Sequence, residues 1–396
     1  MSVTDEPLVY DPFSFTIQHN PYPTYERLRD EAPVYHDATR GFYALSRYDD
    51  VLAASLDPAT FVSSKGVTLE GNEVGRPFLI VKDPPEHEWH RRVVSRVFTP
   101  RYVATLEPFI RATAARLLDD LRDRDRFDVV EDFSIQLPLT VASELFGIPQ
   151  QYREQVHLLS DRLVARDDDG STSADAQTAS LELALLLHQL VVERRANPGD
   201  DVISLMVRSP VVDDAGVEHH LGDDELAFRF LELAFAGHET VARLIPNGIV
   251  ALAWFPDARQ ALVADRSLVP AAVEEMLRWD APSHYQGRWS TRDTEWHGVT
   301  IPAESRVLLV TGAANHDPRV YDHPGLFSLD RPNERTLSFG FGVHLCLGAN
   351  LARLETRVAF EELLARFPDW DLDEAGSVRM RSGHVRGLAH LPIRVR

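Results

Sequence analysis

Cys346 is the single cysteine in 396 residues, and it stands in FGFGVHLCLG, residues 339–348, directly before a helical run. Glycines there let the backbone turn sharply and approach a flat ligand closely. Free N–H groups at the start of the following helix can stabilise a thiolate. An isolated cysteine is ordinarily a small buried hydrophobe, and the glycine-rich surroundings set this one apart. Glu239 and Thr240, in AGHET at 236–240, place an acid and an alcohol inside apolar text. A mid-helix threonine commonly just bonds the carbonyl four residues back, so it is the apolar setting that favours chemistry. His238-Glu239 begins an HExxH zinc pattern, but residue 242 is Ala, which ends that reading. Glu275 and Arg278 in EEMLR read, alone, as an exposed i,i+3 pair. His87 and Arg91, in DPPEHEWHRR at 83–92, lie four apart on one helix face.

These groups need elements to hold them. Gly222-Asp223-Asp224-Glu225 opens a long helix to about Trp254, its acids suited to the helix dipole. Leu226, Phe230, Leu233, Gly237, Val241, Leu244 and Gly248 fall along one stripe, so this helix crosses the core, and Pro246 should bend it near Ala242. Helical periodicity dominates from Glu86 to about Ala264, with 99–123 and 180–196 as clear runs, and returns at 349–366. Strand patterns occur near 33–45, in TEWHGVTIP and in RVLLVTG, and a helix starts at about Asp49. Residues 62–82 read as an irregular loop and 166–176 as a polar connection. No repeat or linker divides the chain, which reads as one domain, 1–396, α-rich with small sheets.

Hydrophobic residues make up 44% and charged residues 26%, a composition that supports a large core in a globular protein. The 61 acidic against 41 basic residues give a net charge of −20, which opposes binding to nucleic acid or anionic lipid. The first residues lack a secretory signal's basic and apolar regions, and no run of about 18 apolar residues suggests a membrane anchor. One cysteine forbids an internal disulfide and fits a reducing cytoplasm. No Walker loop or fused flavin or iron–sulfur domain is evident.

Phe339, Gly340, Gly342, His344, Cys346 and Gly348 together match FxxGxxxCxG, and here the sequence resembles the cytochrome P450 family, along the whole chain and in the family's order. The resemblance implies a triangular, mainly α fold with small β-sheets and a long central helix over haem b (iron protoporphyrin IX). Cys346 would be the axial thiolate in the loop carrying Phe339, Gly340 and Gly348; sulfur donation to haem iron favours O–O cleavage. Glu275, Arg278 and Arg331 match the family's buried structural ion set. His87, Arg91, Arg288 and His344 match its haem-propionate contacts, two carboxylates that call for cations or donors. Gly237 would leave room for dioxygen, and Glu239 and Thr240 would deliver protons.

The implied reaction inserts one oxygen atom of O2 into a mainly apolar organic substrate, by hydroxylation or epoxidation. Electrons would pass from NAD(P)H through a ferredoxin reductase and a small acidic ferredoxin to a cytoplasmic monomer. By family position the substrate wall draws on 62–82, on Leu231, Glu232, Phe235 and Ala236, and on Ser283, His284, Tyr285 and Gln286. The last four either bond a polar group of the substrate or satisfy one another. Arg92, Arg96, Arg353 and Arg357 offer a basic docking face, unless they pair with acids of their own surface such as Glu355 and Glu361. Glu239 stands where Asp is frequent, and His316, Glu304 and Val385 also depart from the common pattern, outside the haem set. Rival readings are a peroxide-driven peroxygenase, against which the acid–alcohol pair argues, and a non-catalytic partner protein, against which the complete haem set argues. A haem gas sensor lacks any appended signalling segment.

Overall fold

A 32-residue helix, Asp223–Trp254, forms the axis of the molecule. Its first turn is acidic, as the sequence anticipates, and most residues from Val241 to Leu252 are buried. The computed structural model describes residues 7–71, 74–163, 172–332 and 336–396. Pro246 lies inside the helix without ending it. A proline supplies no N–H to the carbonyl four residues back, and here the Ala242 carbonyl instead accepts from the buried Ser134 hydroxyl at 2.9 Å. Helices Ala174–Ala196, Gln136–Phe146 and Ala349–Arg366 pack against this axis.

The strand patterns near 33–45 and in RVLLVTG enter one five-stranded sheet. Its order is Val34–Asp37, Phe42–Leu45, Arg306–Leu309, Gln286–Ser290, Phe61–Val62. Arg306–Leu309 runs parallel to Phe42–Leu45, and the other pairings are antiparallel. TEWHGVTIP becomes a small separate hairpin, Thr294–Trp296 with Val299–Ile301. The run at 99–123 is not one helix but two, Pro100–Thr105 and Glu107–Asp119. Pro100 opens the first and Pro108 the second; a proline in the first turn needs no intrahelical donor, so it starts a helix where periodicity alone shows no break. Within 62–82 nothing regular follows Val62 among the described residues, and 72–73 lie outside them. Of the 166–176 connection, 166–171 likewise lie outside the described residues.

Glu275, Arg278 and Arg331 meet as one set, the first two buried and Arg331 half-buried. Arg278 forks onto Glu275 through Nε at 2.8 Å and Nη2 at 2.7 Å. Arg331 Nε reaches both Glu275 oxygens at 3.1 Å, and the Ser328 N–H adds a further donor at 3.0 Å. The remaining guanidinium N–H groups donate to the carbonyls of Asn315, Pro324, Leu326 and Asp322. Asn315 in turn accepts from Leu337 N at 2.8 Å and donates to Ser338 Oγ at 2.7 Å. Two guanidinium groups on one carboxylate, with their other N–H groups on carbonyls, thus fix the chain that leads into the cysteine loop, in keeping with the need of a buried charge for partners.

Candidate active site

The loop before Cys346 closes by a bond from Cys346 N to the Phe339 carbonyl, 2.8 Å. Gly342 sits at φ +71°, and a Cβ there would meet the Ser55 carbonyl oxygen at 2.5 Å. Glycine is therefore what lets this loop rest on the helix Tyr48–Leu56. Gly340, at φ +68°, makes the preceding turn. The Arg353 guanidinium stacks over the Phe339 ring at 4.6 Å. Burial pushes the Cys346 thiol up, against the Gly348 N–H, Arg91 and Arg353, which all favour the thiolate. Protein crowds around the residue, yet Cys346 remains exposed. A cavity of about 820 Å³ adjoins it, walled in part by Arg91, Phe339, Glu274, Leu345 and Arg353. No residue of the axial helix borders this cavity, so it belongs to the cysteine-loop side and not to the side of Glu239 and Thr240.

Four donors converge near the same loop. His87 and Arg91 come from the helix Glu86–Val94, Arg288 from the strand Gln286–Ser290, and His344 from the cysteine loop. The rings of His87 and His344 are 4.2 Å apart, and Arg91 Nη2 caps the Leu345 carbonyl at 2.6 Å. His344 Nε2 shares a bond with Ser63 Oγ at 3.2 Å. Burial, then the neighbouring Arg91 and Arg229, lower His87 to about 4; burial, then Arg288 and His87, lower His344 to about 2. Burial also lowers Arg288 to about 10. Asp83 offsets this electrostatically for His87 and Arg288, but its oxygens are held by the N–H groups of Ser63 at 2.7 Å and Ser64 at 3.2 Å. His87 Nδ1 is buried with no partner. Two guanidinium groups and two neutral imidazoles, with His87 and Arg288 buried and Arg91 and His344 half-buried, make a donor set for carboxylates.

On the axial helix, Glu239 is buried and paired with Arg243 one turn on, Nε to Oε1 at 3.0 Å. Arg243 Nη1 donates to the Leu388 carbonyl at 2.9 Å, and its side chain occupies the space where a Cβ on Gly387 would sit. The second oxygen, Glu239 Oε2, has no partner. Thr240 Oγ1 donates to the Ala236 carbonyl at 2.9 Å, the back-bond usual for a helical threonine, so its proton is engaged while its lone pairs remain for a donor. A Cβ on Gly237 would touch nothing within 4 Å, and Ala236 and Phe235 are exposed in the middle of this core helix, Phe235 by 37%. Leu231 is buried instead.

The polar run at 283–286 satisfies itself. His284 bonds Tyr25 at 3.0 Å and lies 3.5 Å from Asp280, Gln286 Nε2 donates to Ser283 Oγ at 2.9 Å, and the Tyr285 hydroxyl accepts from Leu69 N at 3.3 Å. Tyr285 is 1% exposed. Among the surface arginines, Arg353 forks onto Glu274 at 2.5 and 3.0 Å, and Arg357 binds Glu107 at 2.6 Å and Glu361 at 3.2 Å. The partners are thus mostly acids distant in sequence, and Glu355 is not among them but lies buried in the core. Arg92 donates to the Val212 carbonyl at 2.9 Å, and neither it nor Arg96 has an acidic partner among the described residues.

Sequence reasoning passed over Arg243, Arg229 and Ser63. The first two left a trace, since a cation three or four residues from an acid in apolar helical text signals an internal pair. Ser63 left none. Comparison with known proteins gives these residues a context. The sequence profile of the cytochrome P450 family matches residues 27–393. Cytochrome P450 130 of Mycobacterium tuberculosis is 36% identical over 95% of each chain. The vitamin D(3) 25-hydroxylase of Pseudonocardia autotrophica is 37% identical over 97% of this chain and 96% of its own. The structure of cytochrome P450 CYP109Q5 from Chondromyces apiculatus superposes with a TM-score of 0.88 at 32% identity, covering 98% of both chains. The family carries a haem-thiolate group, and a thiol on a glycine loop beside four cationic or donor side chains, with His87 Nδ1 still without a partner, fits one. Sequence profile, relatives and architecture agree that the chain belongs to the cytochrome P450 family and is one of its haem-dependent monooxygenases.

Proposed function

We propose that Cys346 Sγ would hold the iron of haem b and that His87, Arg91, Arg288 and His344 would bind its two propionates. The observation that carries this reading is the convergence of those four groups, two buried and two half-buried, beside the single cysteine, with His87 Nδ1 left unpaired. Burial holds the thiol protonated in the free chain, and metal coordination deprotonates a thiol outright. When bound, the haem supplies activation of dioxygen and transfer of one oxygen atom to a C–H or C=C bond. The protein's own work is to bind, orient and move protons. Arg243 fixes Glu239 by Oε1, which leaves Oε2 as the oxygen that takes a proton from water and passes it on. Thr240 Oγ1 holds the recipient water in place through its lone pairs, its own proton anchored on Ala236.

The substrate in this reading is large and apolar, and it lies against Phe235 and Ala236. The 37% identity to a vitamin D(3) 25-hydroxylase supports an apolar substrate. A polar anchor from residues 283–286 receives no support, because those side chains are already bonded within the protein. Electrons come from a small acidic ferredoxin that docks on Arg92 and Arg96. Arg353 and Arg357 add less than their charge suggests, since both are neutralised by their own glutamates.

The spectrum of the reduced, carbon-monoxide-bound holoprotein should show the red-shifted Soret band of thiolate ligation, and Cys346→Ser should lose it. Apolar polycyclic compounds, and not small charged ones, should shift its spin state; a normal band in the serine variant contradicts the ligand assignment. Thr240→Ala should keep NAD(P)H oxidation but divert it to hydrogen peroxide, with product formation down about 10²–10⁴-fold; unchanged coupling removes Thr240 from the relay. Arg92→Glu with Arg96→Glu should slow reduction by an acidic ferredoxin at low salt and leave dithionite reduction alone, because charges this exposed act over about 8 Å at physiological ionic strength. Equal ferredoxin rates in the double variant place docking elsewhere.

A further inference from the structure

Two different surfaces hold the segment between Val62 and Lys82. Its first part lies on the sheet: Gly287 N donates to the Val67 carbonyl at 2.8 Å, and Arg306 Nη1 donates to that of Leu69 at 3.0 Å. A Cβ on Gly287 would come within 2.7 Å of the Val67 carbonyl, so this approach requires glycine. Its last part lies on the axial helix. Leu79 N donates to Glu232 Oε2 at 2.7 Å and Ile80 N to Oε1 at 2.8 Å, so one carboxylate takes two successive backbone donors. The Phe78 ring meets Phe228, one turn earlier on the same helix face, edge-on at 6.2 Å.

Glu232 is itself held from below. Arg229 Nη1 reaches its Oε2 at 3.1 Å, and Arg229 is 0% exposed. The other terminal nitrogen of Arg229 points at His90 Nδ1, 3.5 Å away, on the helix that also carries His87 and Arg91. Charge-assisted bonds to backbone N–H groups are short and strong, and these two fix the strap of residues 78–82 at one point on the axis. Phe235 and Ala236 follow three and four residues later, on the face of the helix that Phe228 and Glu232 begin.

We propose that Glu232 is a positioning residue for substrate: by clamping the Leu79 and Ile80 amides it sets the strap of residues 78–82 as a wall of the pocket over Phe235 and Ala236. This rests on the reading of Phe235, Ala236 and Thr240 as the oxygen-side pocket. Glu232 touches no reacting atom; it acts through the strap. A large apolar ligand feels the position of that wall, and a small one does not.

The test uses the holoprotein, two variants and two iron ligands of different size, imidazole and phenylimidazole. Glu232→Gln keeps shape and a bond to Arg229, but it presents an NH2 group to one of the two amides. Phe78→Ala loosens the same strap without disturbing any buried charge, which guards against misfolding of the first variant. In both, hydrogen exchange at the Leu79 and Ile80 amides should accelerate, by about 10-fold in Glu232→Gln, which loses one charge-assisted bond. Phenylimidazole should bind about 10-fold more weakly on the same scale while imidazole binds as in wild type. If exchange accelerates but the two ligands keep their wild-type affinity ratio, the clamp only stabilises the chain and the proposal is overturned. Unchanged exchange in both variants overturns it as well. Failure of the haem reading is seen separately, as wild-type protein whose Soret band does not move with either ligand.

Discussion

A cation taken out of water must find an anion or pay several kcal/mol, and this molecule is organised by how its buried arginines meet that demand. Arg278 and Arg331 meet it internally, on Glu275, and their spare N–H groups bind the carbonyls of Asn315, Pro324, Leu326 and Asp322. Through Asn315 this closed set orients Leu337 and Ser338, and so the loop that presents Cys346. Arg288 and Arg91, with His87 and His344, bond only neutral protein groups and have no acidic partner among the described residues. Their charges are crowded and their acidic neighbour Asp83 is engaged with the Ser63 and Ser64 amides. The paired set builds the frame, and the second set is the one proposed to receive the haem carboxylates.

The axial helix obeys the same constraint along its length. Its buried arginines and its proline have local answers: Arg229 with Glu232, Arg243 with Glu239, and Ser134 for the carbonyl that Pro246 leaves free. What those answers leave over is what the proposed proton relay and the strap clamp use. Glu239 keeps one oxygen unpaired, Thr240 keeps its lone pairs, and Glu232 spends both oxygens on a neighbouring strap. A helix built only for packing would carry none of these residues, since each costs desolvation that a leucine would not.

How far sequence reveals such a site depends on the range of the interaction. The cysteine loop is legible because few chemistries call for a cysteine among glycines before a helix. The helices Asp223–Trp254 and Ala349–Arg366 are legible because their periodicity is long. The break at Leu106 is not, because Pro108 starts a new helix without disturbing the apolar spacing on either side. Pairings between distant segments are invisible to any local pattern. Arg353 with Glu274, Arg357 with Glu107, and His284 with Tyr25 show this, and each turned a suspected functional group into one already satisfied within the protein.

The carboxylate-binding set can be tested without altering the chain at all. Holoprotein is loaded either with haem or with its dimethyl ester, which has the same ring and iron but no carboxylates, and transfer to excess apomyoglobin is timed. Breaking a buried, hydrogen-bonded charge pair costs about 2–5 kcal/mol, so the ester should leave at least ~30-fold faster. Loss of haem and ester at the same rate would show that His87, Arg91, Arg288 and His344 do not bind the propionates.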